Sequence, residues 1–239
     1  MGKQRKNLIS GNDGRVIYYI VNGEGRTRSM PKEVRRSKAT QKSAGHFAKA
    51  VRLSAAIRGG LASLLPESKG RDMINRVNNA CNQWMHDPNA DLSIPEGELP
   101  YLYQLQFNAK TALTARCKFP LVVDWTTPGV ATLVLPQMKP VQHFSAPAGT
   151  TTVHMRVGIT GCTVKKWEET EGYLAALDIP YTNGLIPVQS IQLPYTPGPG
   201  HIWLVAVALT YTVMIKGRQR RLKQQRWMPA GVVSARLTG

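Results

Sequence analysis

Ile202-Trp203-Leu204-Val205-Ala206-Val207-Ala208-Leu209-Thr210-Tyr211-Thr212-Val213-Met214 is the stretch that decides the fold. Its β-branched and aromatic residues predict a long strand. Pro197-Gly198-Pro199-Gly200 introduces it, and Lys216-Gly217-Arg218 turns it back into a second arm over residues 219–228. Thr210 and Thr212 break the apolar run, which also falls short of the roughly 20 apolar residues of a membrane helix. No membrane span is expected here or elsewhere in the chain.

Working upstream, the same period of two recurs. Tyr101, Tyr103, Leu105 and Phe107 alternate with Leu102, Gln104 and Gln106. Further strands are expected at 113–119, 130–135, 153–160, 164–167, 172–177 and 188–193, with Pro and Gly turns between them. This regularity predicts an antiparallel β-sandwich, Ig-like or jelly-roll-like, over residues 100–239.

Before residue 90 the pattern changes. Val16-Ile17-Tyr18-Tyr19-Ile20-Val21, the turn pair Asn22-Gly23 and residues 25–30 read as a β-hairpin. A helix follows, starting at Lys32 or Ser37 and ending at Arg58, with Pro31 ahead of it and Gly59-Gly60 as its stop. Met73, Ile74, Val77, Ala80, Cys81 and Trp84 repeat at helical spacing and predict a second helix with an apolar stripe. The fold class is α+β in three parts: a basic flexible start over 1–13, a hairpin plus two-helix basic module over 14–90, and the sandwich, which ends in a basic hairpin.

Charge is sorted along this plan. Residues 1–80 hold 17 Lys/Arg against 5 Asp/Glu, residues 81–213 hold 7 against 9, and residues 214–239 hold 7 against none. Two cationic segments around a near-neutral core describe a polyanion-binding surface on an ordinary folded body. Arg26 and Arg28 alternate on the hairpin's return strand and project from one face. Arg35, Lys38, Lys42, Lys49 and Arg52 follow spacings of 3, 4, 7 and 3, one side of a helix, with Phe47, Val51, Ala55, Ala44 and Ala48 on a different, apolar side. Lys216, Arg218, Arg220, Arg221, Lys223 and Arg226 crowd the last hairpin. By strand parity Arg220 and Arg226 point one way, Arg221 and Lys223 the other. The bland alternative for each group is a solvated, solubilising face.

Catalytic patterns are missing. His46, His86, His143, His154 and His201 are isolated, with no His-x-x-x-His spacing, so no metal site is expected. There is no phosphate-cradling loop and no nucleophile elbow. Glu168, Glu169 and Glu171 read as a charged loop. Cys81, Cys117 and Cys162 are far apart and form no Cys-x-x-Cys, which suits buried thiols in a reducing compartment. Asn12, Asp13 and Arg15 arrive before an apolar core of a signal peptide can form, so none is expected. A cytoplasmic location, or a place in an assembled particle, follows, and neither enzyme activity nor a cofactor is expected.

Gly14-Arg15-Val16-Ile17-Tyr18-Tyr19, Arg26-Thr27-Arg28, the helix segment Gln41-Lys42-Ser43-Ala44-Gly45-His46-Phe47-Ala48-Lys49-Ala50 and Ala146-Pro147-Ala148-Gly149-Thr150, in that order, resemble a Bacteroidota protein family with no known activity. The resemblance is strongest over residues 14–66. It implies a small basic N-terminal module before a β-sandwich, in a bacterial intracellular or assembly setting. The expected function is that of a structural or packaging protein that holds a polyanion, nucleic acid first, through phosphate contacts that ignore sequence. The alternative is a self-assembling filament, shell or appendage subunit, a homo-oligomer whose basic ends meet its neighbours.

Overall fold

A computed structural model describes residues 3–5, 8–21, 23–30, 37–65, 70–87, 99–103, 105–166 and 169–238. It has two compact units, Met1–Ala44 and Gly45–Gly239. The class is α+β, with sandwich-like antiparallel sheets.

In the first unit, β1 (Lys3–Arg5), β2 (Leu8–Asp13), β3 (Val16–Val21) and β4 (Glu24–Ser29) form an antiparallel meander in that order. β3 and β4 are the expected hairpin, with Val16 opposite Ser29 and Val21 opposite Glu24. At the β2–β3 turn Gly14 takes φ +58, a left-handed backbone that a tight hairpin needs and most side chains resist. β1 and β2 correct the reading of 1–13 as a flexible start. Leu8 and Ile9 bring strand propensity, and β3 offers β2 an open ladder edge that Gly11, Asn12 and Asp13 fill. None of residues 10–21, 23–30 and 37–44 is buried. The first turns of α1 (Lys38–Gly60) also belong here; Ser37 caps them, its Oγ accepting the Thr40 N–H at 3.1 Å.

The second unit is layered. Its centre is β10 (His201–Ile215), paired along one side with β7 (Thr150–Thr163) and along the other with β12 (Ala230–Thr238) and β11 (Arg218–Arg221). β8 (Glu169–Pro180) is the far edge, beyond β7. The near-continuous apolar run of β10 has a simple cause: both of its faces are covered. Ile202, Leu204, Ala206 and Ala208 pack with the later part of α1 and with α2 (Arg71–His86), while Trp203, Val205, Val207, Leu209 and Tyr211 pack into a second core. That second core is closed by the three-stranded sheet β5 (Val122–Asp124), β6 (Val130–Leu135) and β9 (Gln189–Pro194), and by the single turn α3 (Pro140–His143).

Because α1 and α2 share a core with β10 and β12, the three-part division does not describe this chain. Described residues between 50 and 65 and between 70 and 87 bury apolar surface against the sandwich, so a boundary near 86–100 would open that core. The buried side of α1 also differs. Ala50, Leu53, Ser54 and Ile57 are inside, whereas Phe47 is 53% exposed and Ala44, Ala48 and Ala55 are exposed. Leu53 and Ile57 continue into Leu61, Leu64 and Leu65, a larger apolar area than an alanine-rich side, and the larger area wins.

Three expected strands are not strands. Residues 100–103 form turns, Tyr101 at φ +64, and 105–107 are irregular with one bridge from Gln106 to Gly231; Leu102, Leu105 and Phe107 pack into the core beside β12. Their alternation is the trace of an irregular segment that plugs a sheet edge, tied by Phe107 N–H to Ala230 O and Val232 N–H to Leu105 O, both at 2.8 Å. Residues 113–119 likewise turn, held by one bridge between Cys117 and Phe144. Residues 164–166 form the β7–β8 turn, and Trp167, Arg35 and the loop at 94–97 lie outside the described residues. The return arm after β10 stops at Arg221 and passes through a 3₁₀ turn, Gln225–Trp227, into β12.

Candidate polyanion interface

On the N-terminal sheet, antiparallel pairing puts Tyr19 opposite Arg26 and Ile17 opposite Arg28. Directly opposed residues share a face, so both arginines stand on one side, as their alternation predicts. The Arg28 guanidinium lies 5.8 Å from the Tyr19 ring centre, and Arg26 reaches Glu24 at 3.6 Å. This is a cation-and-aromatic face on the β3–β4 hairpin, none of whose described residues is buried.

Within α1, Lys38 and Lys42 are exposed in the first unit, Lys49 and Arg52 in the second. No carboxylate among the described residues pairs with any of these four. The cations of the last hairpin are all exposed too, but the structure sorts them. Arg221 is opposite Thr212 on the sheet face that α1 and α2 partly cover; Arg220 is opposite Val213 and Arg218 opposite Ile215, on the reverse face. Lys216 and Gly217 form the turn with φ +49 and +73. Parity does not carry past Arg221, where the strand ends. Arg226 sits in the 3₁₀ turn and holds Gln224 Oε1 at 3.2 Å.

Three groups that sequence reading missed lie beside these cations. Arg116 is clamped over the Trp227 ring at 3.8 Å and donates to Thr111 Oγ1 at 3.1 Å and Arg226 O at 3.1 Å. Arg156, in the middle of β7, joins Arg221 and Lys223 around a cavity of about 170 Å³ that Thr210, Leu64 and Leu222 also line. His154 bridges Asp178 Oδ1 and Thr212 Oγ1, each at 2.7 Å. The only signal for Arg156 was its place on a strand whose neighbours alternate.

The hydroxyl–imidazole–carboxylate relay of Thr212, His154 and Asp178 spans three strands, with Asp178 directly across from His154 and Thr212 diagonal to it. Thr212 is paired with both Thr152 and Arg221, so the backbone around it is committed to the sheet and offers no donors for a developing oxyanion. A cavity of about 350 Å³ is walled by Leu113, Cys117, Phe119, Val122 and Val232. Burial pushes the Cys117 thiol up to about 12 and, with Cys162 adding to it, the Cys81 thiol to about 12; neither is a thiolate at neutral pH. Among the described residues no three His, Cys, Asp or Glu side chains are grouped to hold a metal ion, and no helix is long and apolar enough to cross a membrane.

Comparison with protein-family models, curated proteins and solved structures finds no match.

Proposed function

We propose that this is a non-enzymatic structural or packaging protein that binds nucleic acid through its phosphates, without reading sequence. One observation carries the reading: Arg26, Arg28, Lys38, Lys42, Lys49 and Arg52 of the first basic segment and Lys216, Arg218, Arg220, Arg221, Lys223 and Arg226 of the last hairpin are all exposed, and among the first six only Arg26 has a carboxylate partner among the described residues. Fixed cations of this kind release condensed counterions when they meet a phosphate chain, and that release supplies affinity for any sequence. Tyr19 beside Arg26 and Arg28 adds a ring on which an unpaired base can stack. An electrophoretic shift series with single-stranded and duplex DNA at rising salt tests it. Binding that weakens linearly in log salt is expected; affinity indifferent to salt, or none at about 50 mM, refutes it.

A second reading rests on β8. It is a 12-residue strand paired on one side by β7, and it exposes Tyr173 at 45% and Leu174 at 44%. Such an edge is a template for a strand of a neighbouring copy. Light scattering before and after nuclease treatment separates the two, since assembly through β8 survives digestion.

A further inference from the structure

Three cations from separate elements converge on the cavity of about 170 Å³: Arg156 of β7, Arg221 at the end of β11, and Lys223 beyond it. The sheet itself makes the space. Arg156 stands between Ala208 of β10 and Ala176 of β8, whose short side chains leave room above the strands, and the chain leaving α1 at Ser63 and Leu64 closes one side. Both guanidiniums are positioned by neutral acceptors. Arg156 Nη1 donates to Ser63 O at 3.4 Å, and Arg221 Nη2 donates to Thr210 Oγ1 at 2.9 Å. Since Thr210 accepts that bond, its own hydroxyl proton is left to donate.

The surroundings favour an anion. No carboxylate is among the described residues that line the cavity, and Asp178, on the same sheet face, is engaged by His154 at 2.7 Å. Leu64, Leu222 and Met228 form an apolar wall along one side of the cavity, which leaves its polar groups to the cations, Thr210 and Ser63. A planar guanidinium presents parallel donors that match two oxygens of one oxyanion. The volume is below the roughly 300 Å³ at which pockets for drug-sized ligands begin, and it suits a tetrahedral oxyanion with a few waters at about 30 Å³ each.

We propose that this cavity seats one phosphoryl group of a nucleic-acid strand, an inference that rests on the polyanion reading and gives it a fixed point. The test uses the full chain with two probes: inorganic phosphate by calorimetric titration, and a 20-nucleotide oligo-dT by fluorescence anisotropy. Arg156→Gln is the direct variant. Lys223→Gln, on an exposed segment, serves should the first fail to fold, and Lys118→Gln, exposed and away from the cavity, controls for net charge. Phosphate is expected to bind wild type at one saturable site and the first two variants at least about 10-fold more weakly, as for the loss of a hydrogen bond to a charged group; the Lys118 variant should match wild type. Oligonucleotide affinity should fall about 5- to 10-fold in the same two variants. Wild-type phosphate binding in the Arg156 and Lys223 variants overturns the site and leaves the polyanion reading standing. Loss of phosphate binding with oligonucleotide affinity no lower than in the Lys118 variant overturns the strand as the source and assigns free phosphate. Failure of wild type to bind the oligonucleotide at about 50 mM salt overturns the polyanion reading itself.

Discussion

Removing three cations from the tip of the β10–β11 hairpin gives a quantitative test of phosphate contact. The variant is Lys216→Asn, Arg218→Gln and Arg220→Gln. Asn suits the first position because Lys216 holds φ +49 in a two-residue turn. Arg218 and Arg220 share a strand face, so at about 3.4 Å per residue their α-carbons are about 6.8 Å apart, close to two nucleotide rises. All three side chains are exposed, and the stability change should stay within about 0.5 kcal/mol. Each contact to a single strand contributes about 0.7 to the slope of log affinity against log salt, so three contacts take about 2 from it. At 0.1 M salt the same release is worth about 0.7 log unit per contact, and the variant should bind about 100-fold more weakly; at 0.5 M the deficit shrinks to about 4-fold. Anisotropy of a labelled 30-nucleotide oligo-dT over that salt range, with melting temperature as a folding check, reads both quantities. A slope equal to that of wild type, with the lines merely displaced, would mean that the tip meets no phosphate, whatever its charge.

Two further predictions probe the frame that carries these cations. A β-carbon at Gly172 would come within 2.7 Å of the Ile159 carbonyl oxygen, whereas one at Gly158 would meet Leu64 Cδ1 at 2.8 Å. Backbone cannot give way as a leucine methyl can, so urea unfolding should show Gly172→Ala losing about 2–3 kcal/mol and Gly158→Ala about 1 kcal/mol; the reverse order would contradict the placement of α1's exit on β7. The buried thiols set an alkaline limit. Unfolded, Cys81 and Cys117 ionise from their ordinary value of 9.0, but folded they hold their protons to about 12. Stability should therefore be insensitive to these groups below pH 9 and fall between 9 and 12 by up to about 1.4 kcal/mol per pH unit per thiol. Cys→Ala at either position should flatten that fall, and an unchanged alkaline limb would show that the thiols are not its cause.

What the residues announce in advance is whatever depends on neighbours in the chain. The β3–β4 hairpin, the Met73-Val77-Ala80-Cys81-Trp84 stripe and β10 are local patterns, and each forms where its period places it. The buried side of α1 is a different kind of fact. Phe47 looks like core to any hydrophobicity count, yet Leu53 and Ile57 are inside because the sheet they cover lies more than a hundred residues downstream. Residues 101–107 mislead for the same reason: Leu102, Leu105 and Phe107 fill the core beside β12, while Tyr101 and Tyr103 of the same alternation are exposed, so the pattern marks an irregular segment and not a strand.

The anion cavity is the sharpest case. Sorting charge by segment placed Arg156 in a stretch with 7 cations and 9 acids, where it had no reason to stand out. Two registers, β7 against β10 and β10 against β11, bring it to the hairpin, where the end of Arg221's strand releases Lys223 from parity. Neither of these registers is encoded near Arg156. The cations visible in sequence are the ones on exposed, salt-sensitive faces, suited to holding any phosphate chain loosely. Arg156, placed by the sheet with its side chain half-buried, is the cation that long-range pairing alone could bring into a walled cavity, and fixed geometry of that kind is what turns diffuse attraction into a seat for one phosphoryl group.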